Sequence, residues 1–457
     1  SVSQTETVLE VSDKLIVSAL SASSANSAGG GLKIGGSSTA NGHASMLWDH
    51  ANSALDLNIG GTTQIRLADG VLRPETDNDV DLGASGAEFK DLYLDGVAYI
   101  DELQADQLGA NLDANSKNIT GVGDFTVTGD VTLTGATVST NGKINTTANS
   151  TDKGTVTING ALSLAGSTTI ETDTAGSTGG SHTDGNITID GAIDATAGGA
   201  KTLTLTSGSG AIDISGKIGD SDPLGTVAIN STASPGGAGN EATGTIAIAG
   251  VGKANLSAAG TEASATFSVG NTNTNKITLD GDDYSFAGDT LFEAASGNTI
   301  DSKGATAAVT DYKTSGKSLE FKGGTLYLQD ATTGVNIATS NGAVTINSID
   351  GDHDETVTIN AGSGAVSVGR IGGDNALTGT DAVEGILSVS ITSSHATGIT
   401  LSGDITTANE TNNNVLFTGA VVIGGDVDID TNTAGTDGTL EFTSTIKGTD
   451  QTANSSS

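Results

Sequence analysis

Three groups of closely spaced carboxylates have the residue types needed for metal binding or acid–base chemistry. They are Asp77, Asp79 and Asp81; residues 280–283 beside Tyr284; and residues 350–355, which read Asp-Gly-Asp-His-Asp-Glu. In an extended segment alternate side chains point to the same face, so oxygens two residues apart are able to meet one cation. The competing interpretation is that Asp-Gly pairs simply make turns in an acidic protein, and we favour it.

Calcium is the ion for which the sequence comes nearest to a ligand pattern. Asp430, Asn432 and Glu441 occupy the first, third and twelfth positions of a helix-loop-helix calcium loop, but Ala434 replaces a ligand and no helical pattern flanks the loop. The sequence therefore predicts no confident metal site and no cofactor. Its weak calcium candidates are Asp77, Asp79, Asp81, Asp430, Asn432 and Glu441.

Residues for zinc binding or nucleophilic catalysis are scattered. The five histidines lack metal-ligand spacing, and the chain has no cysteine. His353 has an aspartate on each side, and we interpret it as a solvated loop residue. The Gly-Ser-Gly turns at 208–210 and 362–364 occur in two related segments, which fits chain reversal better than catalysis. We therefore expect that the chain is not an enzyme.

The candidate residues described above lie between short runs in which Thr, Val, Ile and Leu alternate, and these runs must position them. Examples are Thr-Val-Thr-Ile at 155–158 and 356–359 and Leu-Thr-Leu at 203–205. A period of two places the aliphatic side chains on one face, as in a half-buried strand. The sequence therefore predicts an all-β fold, with a small N-terminal β-module followed by an elongated repetitive β-solenoid of roughly 20 residues per turn.

Composition narrows the class of protein further. The 457 residues include 66 Gly, 3 Pro and only 3% aromatic residues. So few aromatic side chains predict a thin core of stacked Val, Ile, Leu and Ala. Glycine without a three-residue period, together with so little proline, excludes collagen. Disorder of the whole chain is the rival interpretation, and the regular apolar alternation argues against it.

The net charge of −36 limits the partners of the chain. Such a charge repels phosphate backbones and anionic lipids, so we expect no nucleic-acid binding and no membrane insertion. A polyanionic, Thr-rich surface stays soluble where salt or divalent cations screen it, which favours an extracellular location. The first residue is Ser, and we expect a processed chain or a fragment.

Residues 1–115 differ from the rest and predict one or more small β-modules. Strand candidates lie at 15–19, 31–35, 54–59 and 64–67, and Gly60-Gly61 and Asp69-Gly70 fit tight turns. The segment at 97–108 fits either a short helix or extended chain. Trp48 with Met46 is the most conspicuous apolar cluster, and we favour an anchor of the module over an attachment contact.

Residues 116–457 predict the shaft, and they contain an internal duplication. Residues 202–214 align with 356–368, and Lys-Ile-Gly at 217–219 aligns with Arg-Ile-Gly at 370–372. A repeat this long contains several turns of a solenoid rather than one.

Two parts of the chain resemble known families. Leu-Arg-Pro-Glu-Thr-Asp-Asn-Asp-Val-Asp-Leu-Gly at 72–83 and Ala-Glu-Phe-Lys-Asp-Leu-Tyr-Leu-Asp-Gly-Val-Ala at 87–98 resemble tail-fibre and appendage proteins of tailed, particularly marine, bacteriophages. That resemblance covers roughly residues 1–130 and implies structural, commonly trimeric virion appendages; it transfers no catalytic residue. From about residue 116 the chain is similar to repetitive β-solenoid surface proteins such as filamentous haemagglutinins.

Taken together, these patterns favour a structural extracellular fibre subunit, first of all a phage tail or virion fibre that reaches toward or attaches to a host surface. A bacterial cell-surface adhesin or extracellular filament subunit is the alternative, and a solenoid carbohydrate-active enzyme is a weaker one. The expected partners are further copies of the chain, in a trimer or filament, and a glycan or protein receptor on the host surface.

Overall fold

The structure is a computed structural model that describes most of the two predicted regions. The described residues are 25–35, 43–90, 93, 95, 125–146, 154–173, 184–196, 201–233, 241–252, 266–329, 332–373, 385–408, 411–431 and 438–449. The strand candidate at 15–19, the segment at 97–108 and Asn432 lie outside them. Apart from a 3-10 turn at Ala25–Ser27, every regular element in these ranges is a β-strand, which confirms the all-β prediction.

The chain divides into two compact units, Ser1–Asp113 and Ala114–Ser457. The first unit contains one antiparallel sheet whose strands follow chain order. Its strands are β1 (Gly31–Ile34), β2 (Ala44–Asp49), β3 (Ala54–Ile59), β4 (Thr62–Ala68) and β5 (Val71–Pro74). Gly60 and Gly61 join β3 to β4 with positive φ angles of 60° and 83°, as the glycine pair predicted.

The second unit is a parallel β-solenoid, as predicted. Its strands are β6 (Phe125–Thr126), β7 (Val131–Asn145), β8 (Val156–Glu171), β9 (Ile187–Ile189), β10 (Ile193–Ala195), β11 (Leu203–Thr206), β12 (Ile212–Ile214), β13 (Val227–Ile229), β14 (Ile246–Ile248), β15 (Phe267–Gly270), β16 (Lys276–Leu279), β17 (Asp283–Phe286), β18 (Thr290–Glu293), β19 (Thr299–Ser302), β20 (Ala308–Thr314), β21 (Leu319–Lys322), β22 (Thr325–Leu328), β23 (Thr332–Ala338), β24 (Val344–Gly351), β25 (Glu355–Asn360), β26 (Val366–Ile371), β27 (Ile386–Thr392), β28 (Ile399–Leu401), β29 (Ile405–Thr406), β30 (Val415–Thr418), β31 (Val421–Ile423), β32 (Ile429–Asp430), β33 (Leu440–Phe442) and β34 (Ile446–Gly448).

Each turn of the solenoid crosses three parallel sheets in a fixed order. The first sheet contains β9, β12, β14, β16, β19, β22, β29 and β32; the second contains β10, β17, β20, β23, β25, β27, β30 and β33; the third contains β6, β11, β13, β15, β18, β21, β28, β31 and β34. The long strands β7 and β8 bend through all three sheets, and β24 and β26 run from the third sheet into the first.

One ladder of aliphatic side chains shows why the alternating pattern folds this way. In the first sheet Ile187, Ile212, Ile246, Ile277, Ile300, Leu326, Ile349, Ile371, Ile405 and Ile429 pair in register from turn to turn. All but Ile429 are buried. Within each strand the neighbours of these residues point to the opposite face of the sheet. The alternation in sequence therefore separates core-facing from outward-facing side chains.

The core is mostly aliphatic, as the composition predicted, but one stretch of it is aromatic. Six of the few aromatic residues gather in one stretch of the solenoid: Phe267, Tyr284, Phe286, Phe292, Tyr312 and Phe321. The rings of Tyr284 and Tyr312 stack at 4.9 Å, and those of Phe292 and Phe321 stack at 5.3 Å. In a solenoid, residues at equivalent positions of successive turns lie beside one another. A small number of aromatic rings therefore forms a local aromatic column.

The turns are also longer than the predicted 20 residues. Hydrogen bonds between neighbouring turns show this length. The two bonded residues are 22 positions apart for Asn341 and Ser363, 25 for Asp130 and Thr155, and 29 for Asp289 and Ser318.

Candidate functional site

The strongest concentration of titratable groups surrounds the corner between β24 and β25. At this corner the chain passes from the first sheet to the second, and residues 352–354 form the bend. Two neighbouring turns contribute one residue each. Tyr327 of β22 pairs with Asp350 of β24, and Arg370 of β26 pairs with Ser348. Parallel stacking therefore brings three turns of the chain to one place.

Asp350 is the innermost acid of this corner. It is fully buried although it occupies an outward position of the first sheet. Its Oδ2 accepts a hydrogen bond from Arg370 Nη1 at 3.0 Å, and its Oδ1 accepts one from the backbone N–H of Gly351 at 3.0 Å. The same Arg370 nitrogen donates to the carbonyl oxygen of Gly372 at 2.7 Å. The ion pair between Arg370 and Asp350 compensates the buried charge of Asp350 and fixes the end of β24.

Asp352, His353 and Glu355 lie next to it and form a second group. One ligand atom from each of the three lies within 4.8 Å of the others. His353 Nδ1 is 2.7 Å from Asp352 Oδ1, and the backbone N–H of His353 donates to both carboxyl oxygens of Glu355 at 3.0 and 3.1 Å. Glu355 is 1% exposed, whereas the His353 side chain is largely exposed.

Burial makes Glu355 a carboxyl group that keeps its proton. Desolvation is the main cause that raises its pKa from 4.5 to about 9, and the charge of Asp352 adds to the effect. Desolvation, with the neighbouring Asp352, Asp350 and Glu355, likewise raises the pKa of Tyr327 to about 12. At neutral pH the corner therefore holds a protonated acid beside a neutral phenol.

Two carboxylates and an imidazole are a donor set that fits a divalent transition-metal ion once Glu355 has lost its proton. While Glu355 keeps its proton, its carboxyl group is a potential proton donor. Among the described residues, this is the one group of three His, Cys, Asp or Glu side chains close enough to share an ion. These residues belong to the acidic candidate at 350–355, for which the sequence predicts a turn. The structure places it in a turn and adds the burial of Glu355, which no local pattern shows.

The acidic candidate at 280–283 is used by the fold. Asp282 Oδ1 accepts hydrogen bonds from the backbone N–H groups of Ala305 and Thr306 on the next turn, at 2.6 and 3.1 Å. Tyr284 is fully buried; its hydroxyl donates to the carbonyl oxygen of Ile248 at 3.0 Å and accepts from the N–H of Gly281 at 2.9 Å. Burial raises the pKa of this phenol well above its usual value.

The two Gly-Ser-Gly turns have the same structural role at two different corners. The backbone N–H and hydroxyl of Ser209 both donate to Asp184 Oδ2 of the previous turn, at 2.9 and 2.8 Å. Those of Ser363 both donate to Asn341 Oδ1, at 2.9 Å each. The first corner joins the third sheet to the first, and the second joins the second sheet to the third. The duplicated segments thus form the same type of corner, but at different edges of the solenoid.

None of the calcium candidates that the structure describes belongs to the group formed by Asp352, His353 and Glu355. Asp77, Asp79 and Asp81 are exposed after β5 and do not form a three-ligand group. Asp430 is exposed in β32, Glu441 is exposed in β33, and Asn432 is outside the described residues.

Two features of the N-terminal sheet become visible only in the structure. On one face Arg66 is buried among three acids, Asp49, Asp56 and Glu75, at 3.0, 2.7 and 2.8 Å. The opposite face is apolar and exposed, and Trp48 and Met46 belong to it. The signal was present in the alternation of β2 to β4, where every second residue is apolar, but alternation does not say which face is covered.

Among the described residues, the structure has no helix of the length and apolarity needed to cross a membrane. Comparison of the chain with protein-family models, with curated proteins and with solved structures gives no significant match.

Proposed function

We propose that the chain is a structural subunit of an extracellular fibre, in the first place a phage tail or virion fibre that reaches toward or attaches to a host surface. The proposal draws on the β-solenoid fold and on the resemblance of residues 72–98 to phage appendage proteins. Its activity would be mechanical: to span a distance and to carry an attachment surface.

The observation that supports this proposal most strongly is the use of polar side chains as bridges between turns. Asp130, Asn186, Asp289 and Asn414 each accept a hydrogen bond from a backbone N–H on the following turn, at 2.8 to 2.9 Å. These bonds run along the solenoid axis, parallel to the ladder bonds of the sheets. Residue types that would serve catalysis in an enzyme here resist separation of the turns.

The partners follow from the same proposal. A fibre subunit assembles with further copies of itself, as a trimer or a filament, and a glycan or protein on the host surface would be its receptor. A charge of −36 requires that the contacts between copies avoid the acidic surfaces.

Immunogold electron microscopy tests the proposal directly. Antibodies against the purified protein are applied to virions and to cells from the same culture. Gold particles on tail appendages are the expected result. Labelling of the cell surface alone would replace the phage fibre with the adhesin or filament alternative. Labelling confined to the cell interior would contradict an extracellular fibre of either kind.

A further inference from the structure

The N-terminal sheet exposes one face that is almost entirely apolar. Directly paired residues of an antiparallel sheet lie on the same face, so the strand register defines the rows of that face. The rows are Leu32, Met46, Leu57, Ile65 and Pro74; Trp48, Leu55, Leu67 and Leu72; and Ile34, Ala44, Ile59 and Thr62. We call these thirteen positions the apolar face. None of them carries a charge.

The apolar face is accessible to solvent. Seven of its large side chains are 40–67% exposed: Leu32, Ile34, Met46, Leu57, Ile59, Leu67 and Leu72. The opposite face has the reverse arrangement, because the polar residues Arg66, Asp56 and Asn58 are among its buried residues. An isolated sheet would be expected to cover its aliphatic face and to leave its charges in water.

We infer that the apolar face is the contact through which copies of this chain associate, sheet against sheet. The inference rests on the proposed self-association of a fibre subunit and assigns it a surface. Face-to-face sheets pack about 10 Å apart, with their side chains interleaved.

The area of the face is sufficient for such a contact. If each large apolar side chain presents roughly 150 Å², the lower end of the range for aromatic residues, seven side chains at this exposure present on the order of 500 Å². Two copies then bury on the order of 1,000 Å², which is the size that a specific interface needs. Solitary exposed apolar residues need no explanation, but a continuous face across five strands does.

The net charge of the chain favours a second copy as the partner that covers the apolar face. Two chains of net charge −36 repel each other over most of their surfaces, so close approach is favourable only where neither copy presents charged groups. The apolar face meets this condition for both copies at once. A basic partner would seek the acidic surface instead.

Sedimentation velocity of the full chain tests the inference, with Leu57→Lys as the principal variant. Its matched control is Val309→Lys in the solenoid, because Leu57 and Val309 are both 40% exposed. We expect the wild type and Val309→Lys to self-associate, and Leu57→Lys to associate at least about tenfold more weakly, because a charge would be buried in the contact. Emission from Trp48, the only tryptophan and a member of the apolar face, should shift to the red as the wild type dissociates on dilution.

Circular dichroism must show the same β-signal in all three proteins. If Leu57→Lys does not fold, Leu72→Lys on the edge strand β5, where the native side chain is 67% exposed, replaces it. A monomeric wild type would overturn the inference and would mean that another part of the chain or a different partner covers the face. If the wild type forms an oligomer and neither Leu57→Lys nor Leu72→Lys weakens it, the chain self-associates, but not through the apolar face. The immunogold result is independent of both outcomes, so failure of the fibre proposal remains distinguishable.

Discussion

Glu355 is a buried side chain whose pKa changes strongly on folding. Its pKa rises from 4.5 to about 9 on folding, first by desolvation and then by the charge of Asp352. Below pH 4.5 both the folded and the unfolded chain hold the proton. Between pH 4.5 and about 9 only the folded chain holds it, so the free energy of unfolding falls as the pH rises through this window.

The variant Glu355→Gln should remove this contribution, because an amide does not titrate. We expect the stability difference between Glu355→Gln and wild type to move in favour of the variant from pH 5 to pH 8, by at most about 1.4 kcal/mol per pH unit. Urea unfolding at several pH values measures it. Parallel pH profiles for the two proteins would show that Glu355 ionises freely in the folded state.

Arg66 is the second residue whose replacement has a definite expected outcome. Arg66 is 5% exposed, and its guanidinium binds Asp56 through two nitrogens, at 2.7 and 2.9 Å. Arg66→Met leaves the buried carboxylate of Asp56 without its cation, and we expect a loss of about 3–5 kcal/mol from the N-terminal sheet. Arg73→Met is the control, because Arg73 pairs with Arg66 in the register but is much more exposed.

Trp48 fluorescence during urea unfolding follows this sheet selectively, since the solenoid contains no tryptophan. The control should change stability by less than about 0.5 kcal/mol. Equal losses in the two variants would mean that the ion pairs of Arg66 contribute nothing beyond those of an exposed arginine.

Corners are the elements that decide whether the turns stack. Buried hydroxyls support several of them by donating to a glycine carbonyl. Thr172 donates to Gly185 at 2.6 Å and Ser207 to Gly210 at 2.7 Å within one corner, and Ser393 donates to Gly364 of the previous turn at 2.7 Å. The glycines are needed because the backbones of neighbouring turns approach so closely. A Cβ at Gly364 would collide with the carbonyl oxygen of Gly342.

Gly364→Ala should therefore destabilise the solenoid by about 2 kcal/mol or more, through backbone displacement at one corner. Gly425→Ala is the matched control, because a Cβ there would meet open space. We expect the control to be neutral or slightly stabilising, by up to about 1 kcal/mol. Thermal unfolding followed by circular dichroism compares them. Similar melting temperatures for the two variants would show that this corner relaxes without cost.

At the scale of the whole molecule, the acidic charge is distributed over corners and outward strand positions. Ions should therefore stabilise the fold by general screening rather than by filling one structural site. We expect that chelation in about 0.15 M monovalent salt leaves the β-signal intact, and that Asp430→Ala melts within about 2 °C of wild type. Circular dichroism with and without chelator measures both. Collapse on chelation at constant ionic strength, reversed by stoichiometric calcium, would contradict this expectation and would identify a structural ion.

Strand content and turn chemistry were available from the sequence. Alternation at 155–158 and 356–359 predicted strands within β8 and β25, and Gly60-Gly61 predicted the β3–β4 hairpin, because these features depend on neighbouring residues and local backbone geometry. The acidic corner at 350–355 was also recognisable as a turn. Its protonated Glu355 was not, because burial depends on what the adjacent turns place over the side chain.

The tertiary structure decided which sheet each strand joins and which surface remains exposed. The related segments 202–214 and 356–368 occupy different sheets, because their short strands fit any face and non-local stacking fixes their position. For the same reason the alternation of β2 to β4 specified an apolar face and a polar face but not their environments. A period of two separates the faces of a sheet, and only the surrounding chain determines which face meets water.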